Sequence, residues 1–317
     1  MRSALILLLA AAAAAQDRTI SAEAEVRTVA FSKDGGTLVG LCGDRKLRQW
    51  DLRSGSLRKT TPWGEDEHPA ALPSGSGVLA MGGKDGTIVL TGLDDGTAVR
   101  RISAGQRPVN RVAVAGEARA IAGSNRVPGN SREEVMRLWD ASGTERFEAP
   151  AGIGGTSALS ISPDGSILVA GSWDTNVRAW STRNGELLRL IEDLPVAMFG
   201  IAFTPDGRSL AAAGVDRTVY FWDIRTWKLE RKLIGQPEMI SSLAFSPDGR
   251  LLATGGFNDI TQKHPVSILL WDVASGKVLR TLPSPHMVAS VAFSPDGKLL
   301  AATGGDNTVR LWTIAKP

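Results

Sequence analysis

Cysteine is almost missing from this chain of 317 residues: Cys42 is the single thiol, so no internal disulfide can form. Histidine is nearly as scarce, with only His68, His264 and His286, while a metal centre needs several His, Cys or carboxylate side chains converging on one point. The two shortages speak against a disulfide-stapled scaffold and against a zinc site, and no cofactor is implied. An excess of one charge is lacking too. The formal net charge is only +3 and the charges are scattered, so the basic pI gives no electrostatic footprint for nucleic acid. Apolar runs are short: the longest, Ala4 to Ala15, falls below the roughly 20 residues that a membrane span takes.

What that run does form is a targeting pattern. MRSALILLLAAAAAAQD has a basic Arg2, an apolar stretch and small residues at Ala13 and Ala15, the layout of a secretory signal peptide cut before Gln16. The expected organisation is a signal peptide over 1–15 and a single domain over 16–317. No cysteine stands near the cut to carry a lipid. Export without disulfides points to a bacterial periplasm or exterior.

Against these absences stands one abundance, a repeated phrase. FSKDGGTL at 31, ISPDGSIL at 161, FTPDGRSL at 203, FSPDGRLL at 245 and FSPDGKLL at 293 are each followed by a Trp. From Lys33 to Trp50, Pro163 to Trp180, Pro205 to Trp222 and Pro295 to Trp312 the offset is the same; from Pro247 to Trp271 it is stretched. Two degenerate copies fill the gaps: 72–93 puts Thr91 where Trp belongs, and 112–123 loses the turn and reaches Trp139 after an insertion. Seven units of roughly 43 residues tile the chain, the period of a four-stranded propeller blade.

The letters of a unit have physical reasons. In Ser-Pro-Asp-Gly, Pro fixes φ at the second position of a type I turn and Gly accepts the positive φ that follows. The turn joins strand a to strand b, both nearly continuous in apolar residues, as sheets covered on two faces require. A second turn carries Asp44, Asp85, Asp174, Asp216 or Asp306, six residues before the Trp position, with a carboxylate able to accept from turn amides. Strand c then alternates, as in TVRLW and TVYFW, and its Trp packs against a neighbouring blade.

The Trp-Asp pairs at 50–51, 139–140, 222–223 and 271–272, with the preceding turn Asp, resemble the WD-repeat (WD-40) β-propeller family over essentially all of 16–317. The resemblance implies an all-β ring of seven four-stranded antiparallel blades around a central channel. It departs in one respect: no Gly-His pair opens the repeats, so the family's buried Asp-His-Ser/Thr-Trp network is expected to be incomplete, leaving the blades to rely more on packing. After Trp312 too few residues remain for a last outer strand. Arg18 to Ile20 resemble the outer strands LRTL and VRRI, and are expected to pair onto strand c of the last blade, closing the ring.

In this family recognition usually uses the face made by the b–c and d–a loops. Both long insertions, 124–135 and 257–267, fall in b–c turns, and their Pro, Gly and Asn content reads as loops with no core of their own. Either they serve function or they are neutral insertions. Trp173 is expected to be exposed on this face. Met198, Phe199, Met239 and Met287 open strand a of blades five, six and seven beside it, and His68 aligns to the same face. Flat rings and adaptable thioethers suit protein contact; the alternative is that the Met and Phe line the channel as ordinary core. GEDEH at 64–68 makes the crossing from blade one to blade two acidic. No G-x-S-x-G elbow precedes a helix, and AGIGGTS at 151–157 lies between strands, not ahead of a helix that could cradle phosphate. Cys42 reads as a small buried apolar residue.

The expected function is an exported, non-catalytic scaffold holding a protein or peptide on the b–c and d–a face, either as a monomeric ring or as a subunit of a larger assembly. The alternative is a propeller enzyme, lactonase-like or another hydrolase or an oxidoreductase, acting at the channel mouth. Fold alone does not decide between them.

Overall fold

The computed structural model describes residues 18–62, 67–71, 77–93, 98–104, 108–115, 120–127, 130–140, 142–258 and 265–314. They form seven sheets of four antiparallel strands and no helix. Blades one to six run consecutively along the chain, each in the order a, b, c, d. The a-strands touch one another in sequence all the way round, seven back to one, so they form the wall of a central channel. Among the described residues no helix is long and apolar enough to cross a membrane.

Blade seven borrows its outer strand from the start of the chain. Arg18–Ser21 pairs antiparallel with Thr308–Thr313, with Arg18 opposite Leu311 and Ile20 opposite Val309. Ile20 is buried there, and Arg18 Nη1 also donates to the carbonyls of Leu52 at 2.6 Å and Arg53 at 3.0 Å in blade one. The clasp thus completes one blade and fastens it to the next, covering an edge that would otherwise present open backbone groups.

The a–b turns show why the repeated phrase is so uniform. In blade seven the Gly297 amide donates to the Ser294 carbonyl at 2.9 Å, and Gly297 takes φ +72°. Ser294 supplies a third tie: its hydroxyl donates to Asp296 at 2.6 Å and accepts from the Leu299 amide at 2.9 Å. Ser32, Ser162, Thr204 and Ser246 do the same in blades one, four, five and six. All five hydroxyl residues are buried. The turns also touch: a Cβ on Gly207, Gly249 or Gly297 would lie 3.5 to 3.7 Å from the turn proline of the preceding blade.

Each seam between blades is filled by one apolar cluster, seven in all. Six of them contain the strand-c Trp of the following blade: Trp50, Trp139, Trp180, Trp222, Trp271 and Trp312, all at most 3 % exposed. The seventh, between blades one and two, has none, because Thr91 occupies the position.

One expectation needs correction. The insertion at 124–135 is not an irregular loop: strand b of blade three runs Ala120–Val127, strand c runs Asn130–Asp140, and strand d follows strand c as far as Ile153 opposite Glu133. Continued pairing gives the insertion's backbone groups the partners that a loop would leave unmet. In the second insertion Phe257 still belongs to strand b and Val266 and Ser267 to strand c; 259–264, including His264, lie outside the described residues. Blade six keeps a buried hydrogen-bond relay in place of the family's network. In blade six Gln236 follows Gly235 where His was sought, and a buried relay runs from Trp271 Nε1 to Thr254 Oγ1 at 2.9 Å and from that hydroxyl to Gln236 Oε1 at 2.7 Å.

Candidate functional site

The b–c turns and the d–a segments meet on one face of the ring. In five blades the b–c turn is held by its Asp. Asp85, Asp174 and Asp216 accept from the amide two residues on, at 2.9, 3.1 and 3.3 Å. Most of these carboxylates have a second partner four residues on, across the hairpin in strand c. Arg48 donates to Asp44 at 2.8 and 2.6 Å, Arg178 pairs with Asp174 at 2.8 Å, Arg310 pairs with Asp306, and the Tyr220 hydroxyl donates to Asp216 at 2.6 Å. The Arg48 hydrogen bonds hold the Asp44 carboxyl below the usual carboxylate range. At Asp174 and Asp306 burial pushes the carboxyl up, and the hydrogen bonds, led by those from Arg178 and Arg310, outweigh it and bring it down. The face's turn carboxylates are therefore spent on the scaffold.

What these turns leave exposed is apolar. Trp173, just before Asp174, is 54 % exposed, while its amide donates to the Gly155 carbonyl at 3.0 Å. Gly154 and Gly155 take φ of +89° and +104°, and a Cβ on Gly154 would lie 3.1 Å from the Trp173 Cβ. The glycine run of 151–157 thus serves close approach beneath this side chain. Phe199 sits in the bulge of strand a of blade five, between the paired Met198 and Gly200. Its ring meets Trp173 edge to face at 4.9 Å, and meets Phe257 of blade six edge to face at 5.7 Å. Such pairs contribute about 1 kcal/mol each beyond area. The three rings form a ladder across blades four, five and six, and Met239 stands opposite Phe257 in the strand pairing.

Other candidate residues fall elsewhere. Met198 is 1 % exposed and belongs to the seam of blades four and five, so it is core and not part of the face: the bulge turns its neighbour Phe199 outward instead. Met287 is exposed beside blade seven, with no ring contact to the ladder. His68 lies in strand a of blade two, whose side chains are outside the description, as are residues 63–66 of the acidic crossing. Cys42 is buried in strand b, and burial pushes its thiol up. Sequence reasoning missed Phe257, which it placed in the insertion, and Ile153, 59 % exposed, whose amide donates to Asp174 at 3.2 Å beside Trp173. Only the Trp-bearing turn signalled that neighbourhood. Among the described residues no three His, Cys, Asp or Glu converge as metal ligands.

Comparison with known proteins places the fold and the repeat. A solved chain from the crystal structure of a mitotic checkpoint complex superposes over all of this chain and 96 % of its own length, with a TM-score of 0.78 and 15 % identity. Autophagy-related protein 16 of Arabidopsis thaliana is 23 % identical over 161 residues, 49 % of this chain; the match spans only 30 % of that relative's length. The family model described as WD domain, G-beta repeat, matches residues 12–51, 149–181, 195–223, 227–260 and 276–313, and leaves unmatched the stretch that holds the two degenerate copies. With more than half of the sequence matched and seven four-stranded blades closed into a ring, this chain belongs to the WD40 repeat family of β-propellers.

Proposed function

We propose that this protein is an exported, non-catalytic platform that holds a protein or peptide partner on the face formed by its b–c turns and d–a segments. The observation that carries the reading is the ladder of Trp173, Phe199 and Phe257, three rings from three blades held edge to face, with Trp173 more than half exposed. A ring packed that way keeps little freedom to lose on contact, and rigid, partly exposed aromatics are the residues that dominate protein interfaces. The pairing of Asp44, Asp174 and Asp306 with arginines of their own hairpins supports the same reading, since it commits charge to the scaffold and leaves apolar surface between. Membership of the WD40 family adds the general expectation of a protein-binding ring, and the solved chain similar in fold comes from a multi-protein complex. Export rests on the pattern of residues 1–15.

The test is affinity capture from the envelope fraction of the source cells, with the wild type, Trp173→Ala and Phe199→Ala proteins as bait. A partner that the wild type retains and both variants lose supports the reading. Equal recovery by all three, with melting temperatures unchanged, removes the ladder from the binding face.

A further inference from the structure

Among the described side chains, the channel wall contains one residue out of keeping with its ring. In six blades strand a carries a bulge, and the residue after it is Thr28, Arg111, Ala158, Gly200, Ser242 or Ser290. Five are small. The two serines reach the next blade: Ser242 accepts from the Val291 amide at 3.2 Å and Ser290 from the Val29 amide at 3.4 Å. Arg111 occupies this position in blade three, which directs its side chain to the side of the sheet that faces blade four, as the register does for Ser242 and Ser290 in their blades. Among the described residues it has no hydrogen bond and no ion pair.

Two further donors wait there. Ser124 is the cross-strand partner of Arg111 and shares its side of the sheet. In the neighbouring repeats the residue in that place packs on the first residue of the next strand a, Gly82 on Val109 and Gly255 on Val288. Ser124 therefore faces Thr156. Both are more than nine-tenths buried, and neither hydroxyl has a partner among the described residues. The nearest acid, Glu134, is engaged elsewhere: its carboxylate accepts from the Asn110 side chain and from the Thr156 amide at 2.8 Å. Burial pushes the Arg111 guanidinium down, and the Glu134 charge only partly offsets it.

We infer that Arg111, with the hydroxyls of Ser124 and Thr156, forms a binding site for one carboxylate in the channel wall between blades three and four. A planar guanidinium takes a carboxylate through two parallel hydrogen bonds. A water could satisfy the hydroxyls but would leave the partly desolvated guanidinium with only the partial compensation of Glu134. The neighbouring Glu134 favours a singly charged carboxylate over a phosphate dianion. The site is independent of the aromatic ladder.

Thermal unfolding at pH 7 and constant ionic strength tests it, with acetate, N-acetylalanine or N-acetylalanine amide replacing chloride. The expected result is a melting temperature that rises with millimolar acetate or N-acetylalanine and not with the amide. A response to acetate identifies a free small acid as the ligand source; a response to N-acetylalanine alone identifies the C-terminus of a peptide. The apparent affinity is expected to fall at least about tenfold in Arg111→Met, the loss of a charge-assisted pair. If that variant does not fold, Ser124→Ala and Thr156→Val, which leave the charge in place, are each expected to weaken the response severalfold. No stabilisation beyond the chloride control, or an equal response in the variants, overturns the assignment.

Discussion

Blade six seats Trp271 in its seam with blade five and ties the indole nitrogen through Thr254 to Gln236. Blade two has Thr91 at the same position, and among the described residues its seam with blade one is filled by Leu41, Leu47, Leu79, Met81 and their neighbours without a large ring. That seam has a substitute of its own, since Gln49 Nε2 reaches across it to the Leu93 carbonyl at 2.9 Å, buried. The contrast teaches that the ring needs every seam closed but not closed by one device. It also explains where the family model falls silent, over the blades in which the usual letters have been exchanged.

Turning blade six into a copy of blade two is the strongest way to press this comparison. Trp271→Thr removes a side chain 1 % exposed from a seam shaped around it, and should cost about 4 kcal/mol, read as a fall in the urea midpoint. If the seam collapses as comfortably as that of blade two, the loss falls below about 1 kcal/mol and the distinction between the blades disappears.

The relay itself can be cut without changing volume. Thr254→Val leaves Trp271 Nε1 and Gln236 Oε1 facing a methyl group in a fully buried site. An orphaned buried donor costs about 2 kcal/mol, so this variant should lose roughly half of what Trp271→Thr loses. A loss of the same size as that of Trp271→Thr would mean the Trp acts through its hydrogen bond and not through its bulk.

The same comparison marks how much was legible in the sequence. Blade number, turn positions and the N-terminal clasp could be read because Pro, Asp, Gly and Trp answer local demands on φ, capping and volume that recur every unit. The hydroxyl before the turn proline went unread, since its partners, Asp296 and the Leu299 amide in blade seven, follow from the folded turn and not from any propensity. Gln236 was missed because a His was sought in a place where any long amide can bridge to Thr254. Strand extension at 124–135 was hidden by Gly and Asn, which usually end strands but are tolerated where pairing continues on both sides. The ladder could be read only in part: Trp173 and Phe199 stand out, but which residue of a strand a bulge turns outward depends on pairing register.

Blades also differ in what their turn Asp holds. Among the described residues Asp85 of blade two bonds only to Thr87, through its amide and hydroxyl, whereas Asp216 of blade five accepts from the Tyr220 hydroxyl as well. Tyr220 is the single tyrosine of the chain, so its ionisation can be followed alone by ultraviolet absorbance. Burial first, and the Asp216 hydrogen bond and charge second, push the phenol from 10 up to about 12. A folded value above the unfolded one means that the group's contribution to stability is complete below pH 10 and is lost as pH rises from 10 through 12. The titration midpoint should lie near 12 in the wild type. In Asp216→Asn it should fall but stay above 10, because burial remains. A midpoint of 10 in the native protein would remove the difference between the two turns.

The smallest effect runs in favour of blade two. The residue after the turn Asp lies in the left-handed region in every turn described: Arg45, Thr175, Arg217 and Asn307 at φ of 57° to 65°, and Gly86 at 79°. A side chain there costs about 1 kcal/mol through the contact of Cβ with the following carbonyl. Glycine relieves that cost but gives the unfolded chain more freedom, which takes back roughly half. Among the described residues the Arg217 side chain makes no hydrogen bond or ion pair, and its amide makes the turn hydrogen bond to the Gly214 carbonyl at 3.3 Å, which glycine keeps. Arg217→Gly should therefore stabilise blade five by about 0.5 kcal/mol, while Gly86→Ala should destabilise blade two by a similar amount. Opposite signs in the two blades, measured by chemical unfolding, would show that blade two, poorest in its seam, is the least strained in its turn.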